Sequence, residues 1–240
     1  MFLGGETRVG IALCQSVPFF VFYYANICHI FLFLRLFSYF TSFLIGYLIG
    51  SFPTAFLLVK QRTKRDIREE GSKNIGAMNA FEVTNSKLIG SLAMIGDLLK
   101  GTLAVAIVMV LFGTEQQAPI LISGVCVVLG HNYPVWLKFK GGRGLSTTAG
   151  VMLVVCWLFV LLWCAVWAVV YKLVNDLHKA NIIASAISPL GLFLLPENIL
   201  RFSIPSSIFP ETAIGLAISV CILILLRHQE QIRDIVRSHN

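Results

Sequence analysis

Between residues 130 and 144 the chain reads Gly-His-Asn-Tyr-Pro-Val-Trp-Leu-Lys-Phe-Lys-Gly-Gly-Arg-Gly. Gly141, Gly142 and Gly144 surround Arg143, leaving several backbone N–H groups unshielded beside a fixed positive charge. Lys138 and Lys140 add to that charge. Successive N–H groups in such a turn form a concave anion site. Phosphate is its natural guest, because an arginine fork matches the phosphate oxygens in pairs. The same stretch also suits a basic juxtamembrane loop that fixes topology and touches lipid headgroups. Both readings stand on this segment alone.

A second glycine-punctuated segment follows a dense run of charge (Lys60, Arg62, Lys64, Arg65, Asp66, Arg68, Glu69 and Glu70). It reads Gly71-Ser72-Lys73-Asn74-Ile75-Gly76-Ala77-Met78-Asn79. Structurally it is a turn running into a Ser/Asn helix cap. Functionally it is a second polar lip, facing the same side as the first. Asp97 and Lys100, three residues apart, share one helix face. An ionisable pair in or beside an apolar span is either a functional site or an interfacial ion pair, and both remain open.

The elements that must carry these groups are set by composition. The 240 residues are 57% hydrophobic and 13% charged, and the mean hydropathy is +0.80. That excludes an ordinary soluble domain and implies an integral membrane protein. No period-2 alternation of barrel type appears, so an all-α, polytopic helical bundle is expected. The net charge of +7 then speaks of topology and gives no support for nucleic-acid binding. Cys14, Cys28, Cys126, Cys156, Cys164 and Cys221 all lie in apolar runs without a Cys-x-x-Cys pair. The five histidines lack metal-ligand spacing, so neither a metal nor another cofactor is expected.

Apolar runs cover about residues 11–34, 43–59, 88–113, 118–129, 151–170, 182–195 and 213–226. The first belongs to an N-terminal hydrophobic extension, residues 1–38, which either stays in the membrane or is a removed signal-like segment. It lacks a clean small-residue cleavage site, which favours the first option. Residues 39–240 form the main membrane domain. In the second run Gly46, Gly50 and Ser51 permit close helix approach, and Pro53 is expected to kink the chain. Of 19 Lys and Arg, 16 fall at 60–87, at Lys100, at 138–143, at 172–179 and in the tail after 226. By the positive-inside rule those loops face the cytoplasm. Sharing one face requires residues 149–171 to cross an even number of times, yet they are too few for two crossings of about 20 residues each. Either two short, partly inserted helices form there, or the 172–181 segment faces outward.

One set of motifs occurs in a fixed order: Gly50-Ser51-Phe52-Pro53-Thr54-Ala55; Asp66-Ile67-Arg68 with Gly71 to Asn79; Asp97-x-x-Lys100-Gly101; Gly130-His131-x-x-Pro134; and Phe139-Lys140-Gly141-Gly142-Arg143-Gly144. In this order and spacing the chain closely resembles the bacterial acyl-phosphate:glycerol-3-phosphate acyltransferases of the PlsY family, over about residues 40–235. The resemblance implies about seven membrane helices, with short or re-entrant half-helices near an active site on the cytoplasmic face of the inner membrane. It implies transfer of a fatty acyl group from acyl phosphate to glycerol 3-phosphate, giving lysophosphatidic acid and phosphate. No cofactor is implied. The bilayer, and a soluble enzyme that produces acyl phosphate, are the expected partners.

Carried over by position, Ser72, Asn74 and His228 are the implied catalytic residues. Gly141, Gly142, Arg143 and Gly144 would wrap a phosphate, with Arg143 where the family has Lys. Arg68, Lys100, Lys140, His178 and Asn181 are the further candidate substrate-binding residues. His228 and Glu230 fit the family's His-Arg-Glu-Asn-Ile pattern, and His228 could polarise the attacking hydroxyl or merely orient substrate. The departures are Glu82 where the family has Arg, His178 and Asn181 where it has two serines, and Gln229 and Gln231 in the tail. The donor half of the site is therefore expected intact and the acceptor half remodelled. A divergent relative with another acceptor or no activity, and a transporter or structural membrane protein, are the alternatives.

Overall fold

The computed structural model describes residues 6–237, with side chains described from residue 27 to residue 237. Cys14, and the part of the 11–34 run before residue 27, fall outside the described side chains. Eleven α-helices occur among the described residues and no strand. They are α1 (Glu6–Ser51), α2 (Thr54–Thr63), α3 (Ala77–Thr84), α4 (Lys87–Phe112), α5 (Gln117–Asn132) and α6 (Leu145–Val155). After them come α7 (Trp157–Val174), α8 (Leu177–Leu194), α9 (Glu197–Phe202), α10 (Pro210–Arg227) and α11 (Gln229–Arg237).

The chain forms two compact units, Met1–Thr41 and Ser42–Asn240. In the first, the described side chains are mostly apolar, with Phe31, Phe33 and Phe37 each more than half exposed, although His29 and Arg35 are exposed too. Such a helix suits hydrocarbon and not water. Six stretches of the described chain are long and apolar enough to span a bilayer, the first (Ile27–Thr63) beginning in the first unit and the other five lying in the second, and α6 is a shorter apolar helix. The bundle thus has six full-length spans and one half-length helix, close to the seven expected. Its core gathers Val105, Ile120, Val127, Val151, Leu216 and Val220, all fully buried.

Pro53 does interrupt the helix, and α2 restarts after it. At Gly50 an added Cβ would collide with the Val127 carbonyl, so α1 and α5 touch backbone to backbone. The expected single helix over 151–170 is broken at Cys156, whose φ −159° and ψ 87° are not helical. Helix α6 has 11 residues, roughly 16 Å at 1.5 Å per residue, about half of the ~30 Å hydrocarbon core. Helix α7 has 18 residues and returns. Arg143 before α6 touches His178 after α7 at 3.1 Å, so the chain returns to the end it left, through one half-length helix and one of span length where two short ones were expected.

One local expectation fails. The Ser/Asn segment at 72–79 was expected to cap a helix, but the N-cap of α3 is Gly76, with no side-chain bond. Asn79, inside the helix, orders the lip instead. Its Oδ1 accepts from the Ser72 N–H at 3.0 Å, and its Nδ2 reaches the carbonyls of Ile67, Glu70 and Asn74.

Candidate active site

Three segments meet at the cationic end of the bundle around a polar cavity of about 280 Å³. The lip supplies Arg68, Ser72, Lys73 and Asn74, and the loop before α6 supplies Phe139, Lys140, Gly141 and Arg143. The junction of α10 and α11 supplies Arg227, Gln229, Glu230 and Gln231. Arg68 is held ready by Asp66 at 2.6 Å, and it lies over the Phe56 ring. The Arg68 hydrogen bond keeps the Asp66 carboxyl below its usual range, although its partial burial opposes this. The pair therefore stays charged.

The loop's glycines have distinct reasons. A Cβ on Gly142 would run into the His131 ring and the Ile75 carbonyl, and Gly144 has φ +85°, a region open to glycine. Lys138 and Phe139 adopt positive φ in succession without that licence. They are held by bonds from the Phe139 N–H to the Pro134 carbonyl and from the Lys140 N–H to the Leu137 carbonyl. Helix α6 begins directly after Gly144, so the free N–H groups of its first turn lie beside Arg143. Burial lowers the pKa of Arg143 from its ordinary value, with neighbouring Arg227 adding to the effect and Glu230 opposing it. The guanidinium remains a cation and donates to His178 Nδ1 at 3.1 Å. An arginine can only donate, so the His178 proton sits on Nε2.

On the other flank of the same loop lies an apolar cavity of about 160 Å³. Leu145, Ala149, Phe159, Trp163 and Ile224 are in its wall. His228 itself is in the wall of neither cavity, but its neighbours are. Arg227 and Gln229 line the polar one, and Ile224, which His228 touches, lines the apolar one. The His228 ring is wholly buried. Its Nδ1 lies 2.8 Å from the Ile224 carbonyl, which can only accept, so Nδ1 carries the proton. Nε2 is left as a buried lone pair with no protein partner. Burial drives the His228 pKa down to about 4, against the opposing Ile224 bond and with help from Arg143.

Of the residues singled out from sequence, Arg68, Ser72, Asn74, Lys140, Gly141 and Arg143 line one cavity. Gly142 and Gly144 shape its loop, His178 holds Arg143, and His228 sits behind the wall. Lys100 and Asn181 are not brought there. Lys100 is buried against Asp97 at 2.8 Å and donates to the Phe52 carbonyl. Asn181 accepts from Trp167 Nε1 at 2.8 Å. Neither lines the polar cavity. Glu82 is exposed on α3 and does not line the cavity. Sequence reasoning missed Lys73, Asn79 and Arg227. Only their proximity to Ser72 and His228 could have flagged them.

Residues 40–238 match the glycerol-3-phosphate acyltransferase family. The chain belongs to that family. Among its relatives, the glycerol-3-phosphate acyltransferase of Nitrobacter winogradskyi is 34% identical over 194 residues, 80% of this chain and 89% of that protein. The Gluconobacter oxydans enzyme is 34% identical, with 80% and 87% covered. The crystal structure of PlsY (YgiH), an integral membrane glycerol 3-phosphate acyltransferase in its glycerol 3-phosphate form, superposes with TM-score 0.69 at 29% identity. The match covers 84% of this chain and 93% of that one. The lysophosphatidic acid form of PlsY gives TM-score 0.68. This acyltransferase is therefore an integral membrane protein, with its polar cavity beside the family's glycine loop.

Proposed function

We propose that this acyltransferase moves a fatty acyl group from acyl phosphate to the 1-hydroxyl of glycerol 3-phosphate, releasing lysophosphatidic acid and inorganic phosphate. The observation that carries the reading is the pair of cavities either side of one loop. A donor with a charged head and an apolar tail needs a cationic pocket and a greasy one that meet at its reactive carbonyl. Arg143 and Leu145, two residues apart, face one cavity each.

In this reading the donor phosphate lies against Arg143, Lys140 and the first-turn N–H groups of α6. The acyl chain lies toward Phe159 and Trp163. The acceptor hydroxyl attacks the acyl carbonyl carbon, the bond from that carbon to the phosphate oxygen breaks, and phosphate leaves with the electron pair. The hydroxyl proton passes to His228 Nε2, which is neutral at physiological pH. Ser72 and Asn74 orient the acceptor, and Arg68 binds its phosphate. The cationic end of the bundle faces the cytoplasm of a bacterial inner membrane, on the strength of the positive-inside count. A soluble enzyme making acyl phosphate would supply the donor from that side.

Glu82 favours a second reading, an acceptor without a phosphate, because an anion stands where a cation is expected. One experiment separates the readings: phosphate release from palmitoyl phosphate by the detergent-purified protein, with and without glycerol 3-phosphate. Release that depends on glycerol 3-phosphate and disappears in Ser72→Ala and Arg143→Ala supports the first. Release indifferent to glycerol 3-phosphate supports the second. No release at all removes both.

A further inference from the structure

Arg227 closes α10, and its guanidinium is turned onto the loop backbone. Nε donates to the Gly142 carbonyl and Nη2 to the Gly141 carbonyl, both at 3.0 Å. The guanidinium carbon lies 5.1 Å from the centre of the Tyr133 ring, a stacking contact that a planar cation makes well. Tyr133 is itself anchored, since its carbonyl accepts from the Tyr47 hydroxyl at 2.9 Å.

Two consecutive carbonyls held by one fork fix two peptide planes. In a planar trans peptide the C=O and N–H point to opposite sides. The N–H of the Gly141–Gly142 unit accordingly donates away from Arg227, to the His131 carbonyl at 3.1 Å. The Gly142–Arg143 unit must likewise turn the Arg143 N–H away from Arg227. That N–H has no acceptor among the described residues. The cation also polarises both units, which strengthens an N–H at the far end.

We propose that Arg227 is a positioning residue for the donor phosphate, acting through the Gly142–Arg143 peptide by presenting the Arg143 N–H to it. The inference rests on the donor-phosphate reading above. Lysine cannot substitute, because an ammonium is a point charge without the flat fork that reaches two carbonyls and stacks on a ring.

The test is steady-state kinetics of Arg227→Lys, beside its thermal unfolding in detergent. The KM for palmitoyl phosphate should rise about tenfold, the loss of one charge-assisted bond, with the acceptor KM within about twofold and the unfolding temperature unchanged. An unchanged donor KM, or a rise in the acceptor KM instead, overturns the inference. Should that variant not fold, Tyr133→Leu removes the ring under the guanidinium and keeps the arginine. Its donor KM should rise about threefold, and a wild-type value overturns the inference. Inorganic phosphate titrated into the protein and followed by 31P NMR gives a readout independent of turnover. Binding weakened in Arg227→Lys supports the role even if wild type transfers no acyl group, an outcome that removes only the proposed reaction. Equal binding in both proteins, or none in wild type, overturns the inference.

Discussion

The two cavities flanking the loop before α6 are built from opposite chemistry, although Arg143 and Leu145 are only two residues apart. The polar one, about 280 Å³, draws charged groups from three separate segments. The apolar one, about 160 Å³, is walled mainly by α6 and α7. A polar pocket needs groups that converge from several directions, because each oxygen of an anion wants its own donor. An apolar pocket needs only surface, and two packed helices provide it. The reacting bond is expected where the two meet, and the chain around the buried His228 contributes to both walls, Ile224 to one and Arg227 and Gln229 to the other.

The sharpest way to break the division is to remove its charge. Arg143→Ala should lower acyl transfer by about 10³, the upper range for one preorganised transition-state donor. A loss below tenfold in initial rate would deny the polar cavity its role. His228→Gln should cost about 10² in kcat if Nε2 takes the proton. The pH profile checks the same point. Burial moves this imidazole down from its ordinary range to about 4, so the lone pair is present above that pH and lost below it. The acid limb of kcat/KM should therefore fall near pH 4. A limb near the ordinary histidine value of about 6.5 would mean that another group is titrating.

Filling the apolar side tests the other half. Ala149→Phe should lower the palmitoyl over octanoyl preference about tenfold, the scale of a few buried methylenes. An unchanged ratio in a competition assay would put the chain elsewhere. The smallest expected effect concerns the acceptor. Glu82→Arg should lower the KM for glycerol 3-phosphate about threefold by replacing repulsion with attraction at an exposed position. A raised KM would instead show that this chain uses its glutamate.

Much of this was legible in the sequence. The glycine loop and the Ser72 lip announce themselves because their chemistry depends on residue type: only glycine exposes the backbone, and only a cation balances phosphate. The sequence leaves open whether residues 149–171 return to the same face or the 172–181 segment faces outward, and the Arg143–His178 contact decides for the return. Lys100 misled for a physical reason. A lysine in an apolar span reads the same whether it meets a substrate or, as here, Asp97 and the Phe52 carbonyl. Asn181 likewise gives no sign in sequence that its Oδ1 accepts from Trp167. Arg227 stayed hidden because it acts on carbonyls, which every residue carries. In sequence Asn79 reads as part of a cap, because its long-range partners, such as Ile67 twelve positions back, leave no local pattern.

Helix α6 has a consequence for how the protein is made. It ends after 11 residues, where Cys156 breaks the helix. There the Cys156 N–H still reaches the Met152 carbonyl, and the Phe159 N–H reaches the carbonyl of Cys156 itself. The Cys156 thiol lies 3.4 Å from the hydroxyl of Ser203, just after α9. A nascent chain that has emerged only as far as α6 has none of these later partners and is too short to cross. The glycine loop can already meet His131 and Ile75, which precede it, but its later partners are not yet made. It must wait for α7 to bring the chain back, and then for α10 to deliver Arg227. A site assembled from both ends of the chain is completed last, so the growing protein carries no working enzyme until its final helices are in the bilayer.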